Sequence, residues 1–247
     1  MTARRRLDAE LVRRGLAASL DAAQTLIAQR KVLVGGVAAD KAARQVQSGD
    51  PIELVAPPPP FVSRGGLKLN HALDAFDIAV AHRRALDAGA STGGFTDCLL
   101  QRGATEVVAL DVGYGQLHER LRADDRVVSR ERFHVRDLGP EQFGRFPLLV
   151  ADLSFISLTK VAGALVSVME RDGSMVLLVK PQFEASRPEV SRGRGIITDP
   201  AVWARTVGEV RTAYESLGMS WRGTVESPIR GADGNTEFLA HLVAGTR

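Results

Sequence analysis

The chain's most reactive-looking stretch is Arg84-Ala85-Leu86-Asp87-Ala88-Gly89-Ala90-Ser91-Thr92-Gly93-Gly94-Phe95-Thr96-Asp97, where an acid precedes a glycine-rich turn by two residues. Gly89 and Gly93 remove side chains where a ligand has to approach backbone, and Ser91 or Thr92 is expected to cap the helix that follows, to about Arg102. A helix start at a strand's carboxyl end offers free N–H groups to whatever binds there. The spacing is not the dinucleotide fingerprint G-x-G-x-x-G, because Ser91 stands in place of the second glycine. Asp87 would repel a pyrophosphate but suits a ligand carrying an ammonium or sulfonium. Asp111 lies 22 residues beyond Gly89, at the end of Glu106-Val107-Val108-Ala109-Leu110, where an acid can hold ribose hydroxyls. A positive head, a ribose and no phosphate describe S-adenosylmethionine. The expected cofactor contacts are Asp87, Gly89, Ser91, Thr92, Gly93 and Asp111.

Two more charges end apolar runs. Asp152 closes Pro147-Leu148-Leu149-Val150-Ala151, and Lys180 closes Ser174-Met175-Val176-Leu177-Leu178-Val179. Alone, the acid has an ordinary reading as a loop cap and the lysine as a strand end reaching solvent. At adjacent strand ends they read as a site. Lys68, in the first turn of a helix expected over Leu67 to Phe76, sits against the helix dipole, which again invites a functional explanation.

The elements needed to hold these residues follow from the pattern. Apolar runs at 84–88, 106–110, 127–129, 147–152 and 174–180 read as buried parallel strands. Helices are expected at Leu158–Glu170 and Pro200–Leu217, with a long polar loop from Pro181 to Thr198. Strand-like segments at Ser220–Glu226 and Glu237–Val243 close the chain. Alternating strands and helices predict an α/β, doubly wound sheet with its site at the strand carboxyl ends.

At 247 residues, 45% of them apolar, the chain suits one large or two smaller domains. Cys98 is its one cysteine, which excludes an intrachain disulfide and favours a reducing, cytoplasmic setting; it reads as packing rather than as a nucleophile. No apolar run approaches the ~20 residues of a membrane span. The basic start Arg4-Arg5-Arg6 leads into Leu7-Asp8-Ala9-Glu10 and not into a signal-peptide apolar region. Residues 1–60 carry nine Lys/Arg against six Asp/Glu, while residues 61–247 balance at 23 of each. The whole excess of +3 therefore lies in the first quarter, as in an anion-binding appendage.

That quarter reads as a helix on Leu7, Leu11, Val12 and Leu16 ended by Gly15, then a second helix capped by Ser19. A strand and hairpin follow at Val32-Leu33-Val34-Gly35-Gly36-Val37, and a short strand at Ile52–Val55. Arg6-Leu7-Asp8, Leu11-Val12-x-Arg14-Gly15-Leu16-Ala17-x-Ser19 and Val32-x-Val34-x-Gly36 resemble the S4 RNA-binding domain, with Arg30 where that family usually has Gly after its second helix. The resemblance implies phosphate contacts to structured RNA. We expect them from Arg4, Arg6, Arg13, Arg14 and Lys41, with Arg64 beyond the linker. Ala56-Pro57-Pro58-Pro59-Pro60 reads as an extended, semi-rigid connector, giving an S4-like domain at 1–56, a Pro-rich linker at 57–62 and a second domain at 63–247.

The second domain also carries a resemblance. Val62-Ser63-Arg64-Gly65-Gly66-x-Lys68-Leu69, Asp87-x-Gly89-x-Ser91-x-Gly93-Gly94-Phe95-Thr96-Asp97, Asp152-Leu153-Ser154-Phe155-Ile156-Ser157, Val179-Lys180-Pro181-Gln182-Phe183-Glu184 and Gly234-Asn235-x-Glu237 are similar, in order, to the TlyA (haemolysin A) family. Its members are S4-domain ribosomal RNA 2′-O-methyltransferases with an FtsJ/RrmJ-like catalytic domain. The resemblance implies a Rossmann-like S-adenosylmethionine-dependent sheet behind a small α+β S4-like domain, and a Lys-Asp-Lys-Glu catalytic tetrad at Lys68, Asp152, Lys180 and Glu237. It also implies cytidine in ribosomal RNA or ribosomal subunits as substrate.

A ribose 2′-hydroxyl is a poor nucleophile and a sulfonium methyl an activated electrophile, so the reaction needs in-line alignment and some relief of the hydroxyl proton. Lys180 is expected to accept that proton or stabilise the developing alkoxide, with Asp152 and Glu237 orienting the ammonium groups. No metal is expected, since His71, His82, His118, His134 and His241 lack ligand spacing and methyl transfer needs no Lewis acid. The competing readings are an S4-type assembly factor without turnover, a membrane-lytic haemolysin, and a small-molecule methyltransferase. Intact tetrad residues, no hydrophobic span and the basic appendage argue against them in turn. Nothing in the pattern assigns an oligomeric state.

Overall fold

The computed structural model describes residues 4–55 and 59–245. The Ala56-Pro57-Pro58 part of the expected connector lies outside the described residues. These residues fall into two compact units, the first ending at Pro59 and the second beginning at Pro60.

In the first unit, helices Leu7–Arg13 and Leu20–Ala28 pack Leu7, Leu11, Ala23 and Ile27 against Val32, Val34, Val46 and Ile52. Val32–Val34 is the central strand of a three-stranded sheet, between Val37–Ala38 and Ile52–Leu54. Ser19 caps the second helix, its hydroxyl accepting from the Ala22 N–H at 3.2 Å. The first helix stops at Arg13, short of Leu16, because Gly15 turns into the left-handed region at φ +70°. Arg5–Arg6 is a strand paired with Gln45–Val46 rather than helix. Arg30 adopts φ +56°, a conformation that favours glycine.

The second unit is built on seven strands. They are β1 (Arg84–Ala88), β2 (Glu106–Leu110), β3 (Val127–Arg130), β4 (Phe146–Ala151), β5 (Met169–Val179), β6 (Met219–Glu226) and β7 (Phe238–Ala244). Across the sheet they run 3-2-1-4-5-7-6, with β7 antiparallel to both of its neighbours. Alternate residues of each strand enter two different cores. Leu86, Leu149 and Leu177 face the helices Ala162–Ser167 and Pro200–Glu215, while Ala85, Val150 and Val176 face the helices Gly65–Ala75 and Gly94–Gln101. Burial on both faces is why these strands read as continuous apolar runs. The strand order reverses between β1 and β4, and a crevice opens outside their carboxyl ends.

Three expected elements differ. The segment 158–170 is not one helix but a 3-10 turn at Leu158–Lys160 and a short helix at Ala162–Ser167, because β5 already begins at Met169, paired with Phe146. An irregularity between Met169 and Ser174 then resets its register. The segment 181–198 is not a plain loop, since it holds helices at Pro181–Glu184 and Arg187–Arg192. The helix carrying Lys68 starts at Gly65, two residues earlier than expected.

Candidate active site

The turn after β1 is tight for a steric reason. Gly89, at φ +88°, has no room for a Cβ, which would lie 2.5 Å from the Asp152 carbonyl oxygen. The ends of β1 and β4 therefore meet here, with the Asp152 N–H donating to Ala88 O at 3.0 Å. Ser91 and Thr92 do not cap the next helix. Gly93, at φ +98°, occupies the N-cap position, and no side chain caps it. The Ser91 N–H instead donates to Asp111 Oδ2 at 2.7 Å, and the Gly113 N–H to Asp111 Oδ1 at 2.6 Å. These bonds fix the Asp111 carboxylate beside the turn. Ser91 and Thr92 are exposed.

Asp87 does not reach the open surface. It is fully buried, and the Thr96 hydroxyl donates to Oδ2 at 2.6 Å while Oδ1 has no partner. Burial pushes its pKa up to about 7 against the pull of the Thr96 bond, and the nearby Asp152 and Asp111 add to the rise. A cation placed over the turn would relieve this carboxyl, which makes Asp87 an electrostatic rather than a direct contact.

The four charged residues come together. Lys68, in the first turns of the Gly65–Ala75 helix, is buried, and its Nζ donates to Glu237 Oε2 at 2.5 Å. Lys180 follows β5 and is also buried, with Nζ 2.6 Å from Asp152 Oδ1 in a charge contact. Its directed hydrogen bond goes to Ser154 Oγ at 2.9 Å. All four line one cavity of about 310 Å³, together with Gly89, Ser91, Thr92, Arg64 and Arg230. Burying one partner of such a pair alone is costly, so each acid holds its ammonium in place.

A second cavity of about 530 Å³ adjoins the first and shares Gly89, Ser91, Asp152 and Ser154 with it. Asp111, Val112, Phe133, His134, Leu153 and Phe155 are among the other residues that line it. The second space, with the Asp111 carboxylate in its wall, has room for a nucleoside, and the first sets the four charged residues beside the Gly89 turn. The sharp Gly89 turn, the orphan Asp87 oxygen and the fixed Asp111 carboxylate are the features that S-adenosylmethionine would use. The residues present fit that cofactor.

Sequence reasoning missed Ser154, Thr96 and Phe155. Ser154 and Phe155 lie inside the quoted Asp152–Ser157 motif, and Thr96 on the first turn after Gly93, but neither hydroxyl's partner is visible without coordinates. Phe155 is 92% exposed at φ +63°, its ring 5.1 Å from that of Phe183. An aromatic held open beside a nucleoside-sized cavity offers a stacking face.

Of the basic residues expected to face RNA, Arg64 alone lies in this unit. Arg4 and Lys41 are exposed on the first unit. Arg6 is held to Asp8 at 2.6 Å and Arg13 to Glu10 at 2.5 Å. Arg14 differs more, because its guanidinium bonds Glu10 and the carbonyl oxygens of Asp50, Gln47 and Ser48. These bonds tie the first helix to the 47–50 turn.

Comparison with known proteins gives the family of both units. The FtsJ-like methyltransferase family matches residues 61–244 and the S4 domain residues 5–52. The 16S/23S rRNA (cytidine-2′-O)-methyltransferase TlyA of Mycobacterium tuberculosis is 51% identical over 98% of this chain and 91% of its own. A solved Streptococcus thermophilus protein that carries the hemolysin name superposes with a TM-score of 0.74 at 38% identity, over 99% of this chain and 90% of that one. A Mesorhizobium loti S-adenosylmethionine dependent methyltransferase shares the fold of the second unit, with a TM-score of 0.53 at 17% identity over 70% of this chain and 96% of that one.

Proposed function

The chain belongs to the TlyA family of FtsJ-like methyltransferases, with an S4 domain ahead of the catalytic sheet, and from that premise we propose that it methylates the 2′-hydroxyl of cytidine in ribosomal RNA. The observation that supports this most is the meeting of two lysine–carboxylate pairs at one cavity beside the Gly89 turn.

We assign Lys68, Asp152, Lys180 and Glu237 as the catalytic group, and Asp87, Gly89, Ser91, Thr92, Gly93 and Asp111 as the residues that would hold S-adenosylmethionine. When bound, that cofactor supplies an activated methyl group. Lys180 meets the ribose oxygen. An ammonium has three donors; Ser154 takes one and Asp152 holds the charge from 2.6 Å, so N–H capacity is left for substrate. From there the ammonium stabilises the charge that grows on the 2′-oxygen, whereas taking up the hydroxyl proton would require its neutral amine form. Lys68, held by Glu237, adds positive potential to the same cavity. The chemistry calls for no Lewis acid.

We assign residues 1–56 to RNA binding, 57–62 to the linker and 63–247 to catalysis, with ribosomal RNA or subunits as the partner. Among the described residues no helix is long and apolar enough to cross a membrane. The cytoplasm, where ribosomes are, is the proposed setting.

The test is transfer of tritiated methyl from S-adenosylmethionine to unmodified ribosomal RNA, followed by digestion to nucleosides. Label in 2′-O-methylcytidine is expected. Label in a base, or none, would overturn the assignment.

A further inference from the structure

The loop between β4 and the Leu158 turn carries two of the groups that surround Lys180, yet it has no sheet or helix of its own over residues 152–157. Its beginning is fixed, because the Asp152 N–H donates to Ala88 O. Its end is fixed by a residue to which the tetrad gives no role. Glu184 is half-buried, and both of its oxygens are taken by the loop: Ser157 Oγ donates to Oε2 at 2.5 Å and the Leu158 N–H to Oε1 at 2.9 Å.

Glu184 stands four residues after Lys180, on the one-turn helix Pro181–Glu184. The 180–184 segment and the 152–158 loop therefore meet in three successive rungs. Lys180 engages Asp152 and Ser154, Phe183 lies against Phe155, and Glu184 grips Ser157 and Leu158. Phe155 lies between the outer rungs, in the left-handed region.

We propose that Glu184 is a positioning residue, which holds the far end of this loop so that the Ser154 hydroxyl stays on the Lys180 ammonium and orients that ammonium toward the cavity. The inference rests on the methyl-transfer reading. Released at Leu158, the loop lets Ser154 drift, and the ammonium then keeps Asp152 as its one close partner and swings about it. The substrate-facing direction is lost although the cofactor cavity and the tetrad side chains remain.

The experiment uses the full chain and compares wild type with Glu184→Ala, Glu184→Gln and Ser154→Ala. Glu184→Ala is expected to lower kcat by about 10- to 100-fold, the cost of a small misplacement at a reacting centre, with KM for S-adenosylmethionine within about twofold. Glu184→Gln is expected to recover most of that loss, since its amide oxygen accepts the Leu158 N–H and its NH₂ reaches Ser157 Oγ. Adding Ser154→Ala to Glu184→Ala is expected to cost little more, because both act through one contact. Hydrogen exchange read over residues 152–158 reports the clamp without substrate, faster in Glu184→Ala and restored in Glu184→Gln.

Unchanged kcat, unchanged exchange, a failed rescue by Gln, or fully additive losses would each overturn the positioning role. Should Glu184→Ala not fold, Ser157→Ala removes one of the rung's two bonds from the other side and leaves the Leu158 bond. A smaller loss of kcat and faster exchange over residues 152–158 are then expected, and no change in either would overturn the role. A wild-type chain that leaves ribosomal RNA unlabelled overturns the parent reading instead. The clamp would then have no chemistry to serve, and the positioning role falls with it.

Discussion

At the scale of single residues, the buried carboxyl under the cofactor turn makes a measurable claim. Asp87 has its pKa raised to about 7 from an ordinary 3.8. On acidification the folded chain takes up this proton before the unfolded chain does. Between about pH 4 and 7 the folded state thus binds more protons, and stability falls as pH rises through that window, then levels off. The size is on the order of 4 kcal/mol for a shift of this extent. Asp87→Asn removes the titration while keeping the shape. Urea unfolding of both proteins from pH 4 to pH 8 is expected to show wild type losing stability relative to the variant across the window. Parallel profiles would contradict the buried, partly protonated carboxyl.

At the scale of elements, the meeting of β1 and β4 is set by one missing side chain. Gly89→Ala puts a Cβ 2.5 Å from Asp152 O at φ +88°. It is expected to cost about 1–3 kcal/mol of stability and to weaken S-adenosylmethionine binding, read by urea unfolding and calorimetry. If neither quantity changes, the turn is not under the constraint described. The strands around this turn were legible in the sequence because both faces are buried, leaving apolar runs that end on charges. The tetrad's Asp152 and Lys180 were legible for the same reason, while Glu237 came only through family resemblance. Less legible was 158–170, whose apolar spacing suits a helix until Met169 is captured by Phe146 across the sheet. The Arg187–Arg192 helix did leave local signals, Pro188 in its first turn and Ser186 with Glu189 as a capping box, which a polar, glycine-containing context hid. Ser91 and Thr92 failed as caps because a left-handed glycine starts the helix instead.

At the scale of the whole molecule, charge is the property that composition reveals most directly. The net +3 falls within the first sixty residues, but three of the cations there, Arg6, Arg13 and Arg14, are engaged internally, on Asp8, Glu10 and the 47–50 turn. Arg4 and Lys41 are exposed and, among the described residues, carry no side-chain bond of the kind that engages Arg14. The double substitution Arg4→Ala and Lys41→Ala is expected to weaken ribosomal RNA binding and flatten its salt dependence by about 1 unit of log–log slope per lost phosphate contact. Arg14→Ala should chiefly lower the stability of the first unit. Filter binding across a salt series, with thermal unfolding beside it, checks both; the reverse pattern would mean that Arg14 is the RNA contact after all.

The central chemical claim is that the Lys180 ammonium, held between Asp152 and Ser154, drives transfer without being needed to hold the cofactor. It is tested by measuring methyl transfer to ribosomal RNA and S-adenosylmethionine binding side by side in wild type and Lys180→Ala. Transfer abolished with cofactor affinity largely intact is the expected result. Transfer at the wild-type rate would remove Lys180 from the reaction.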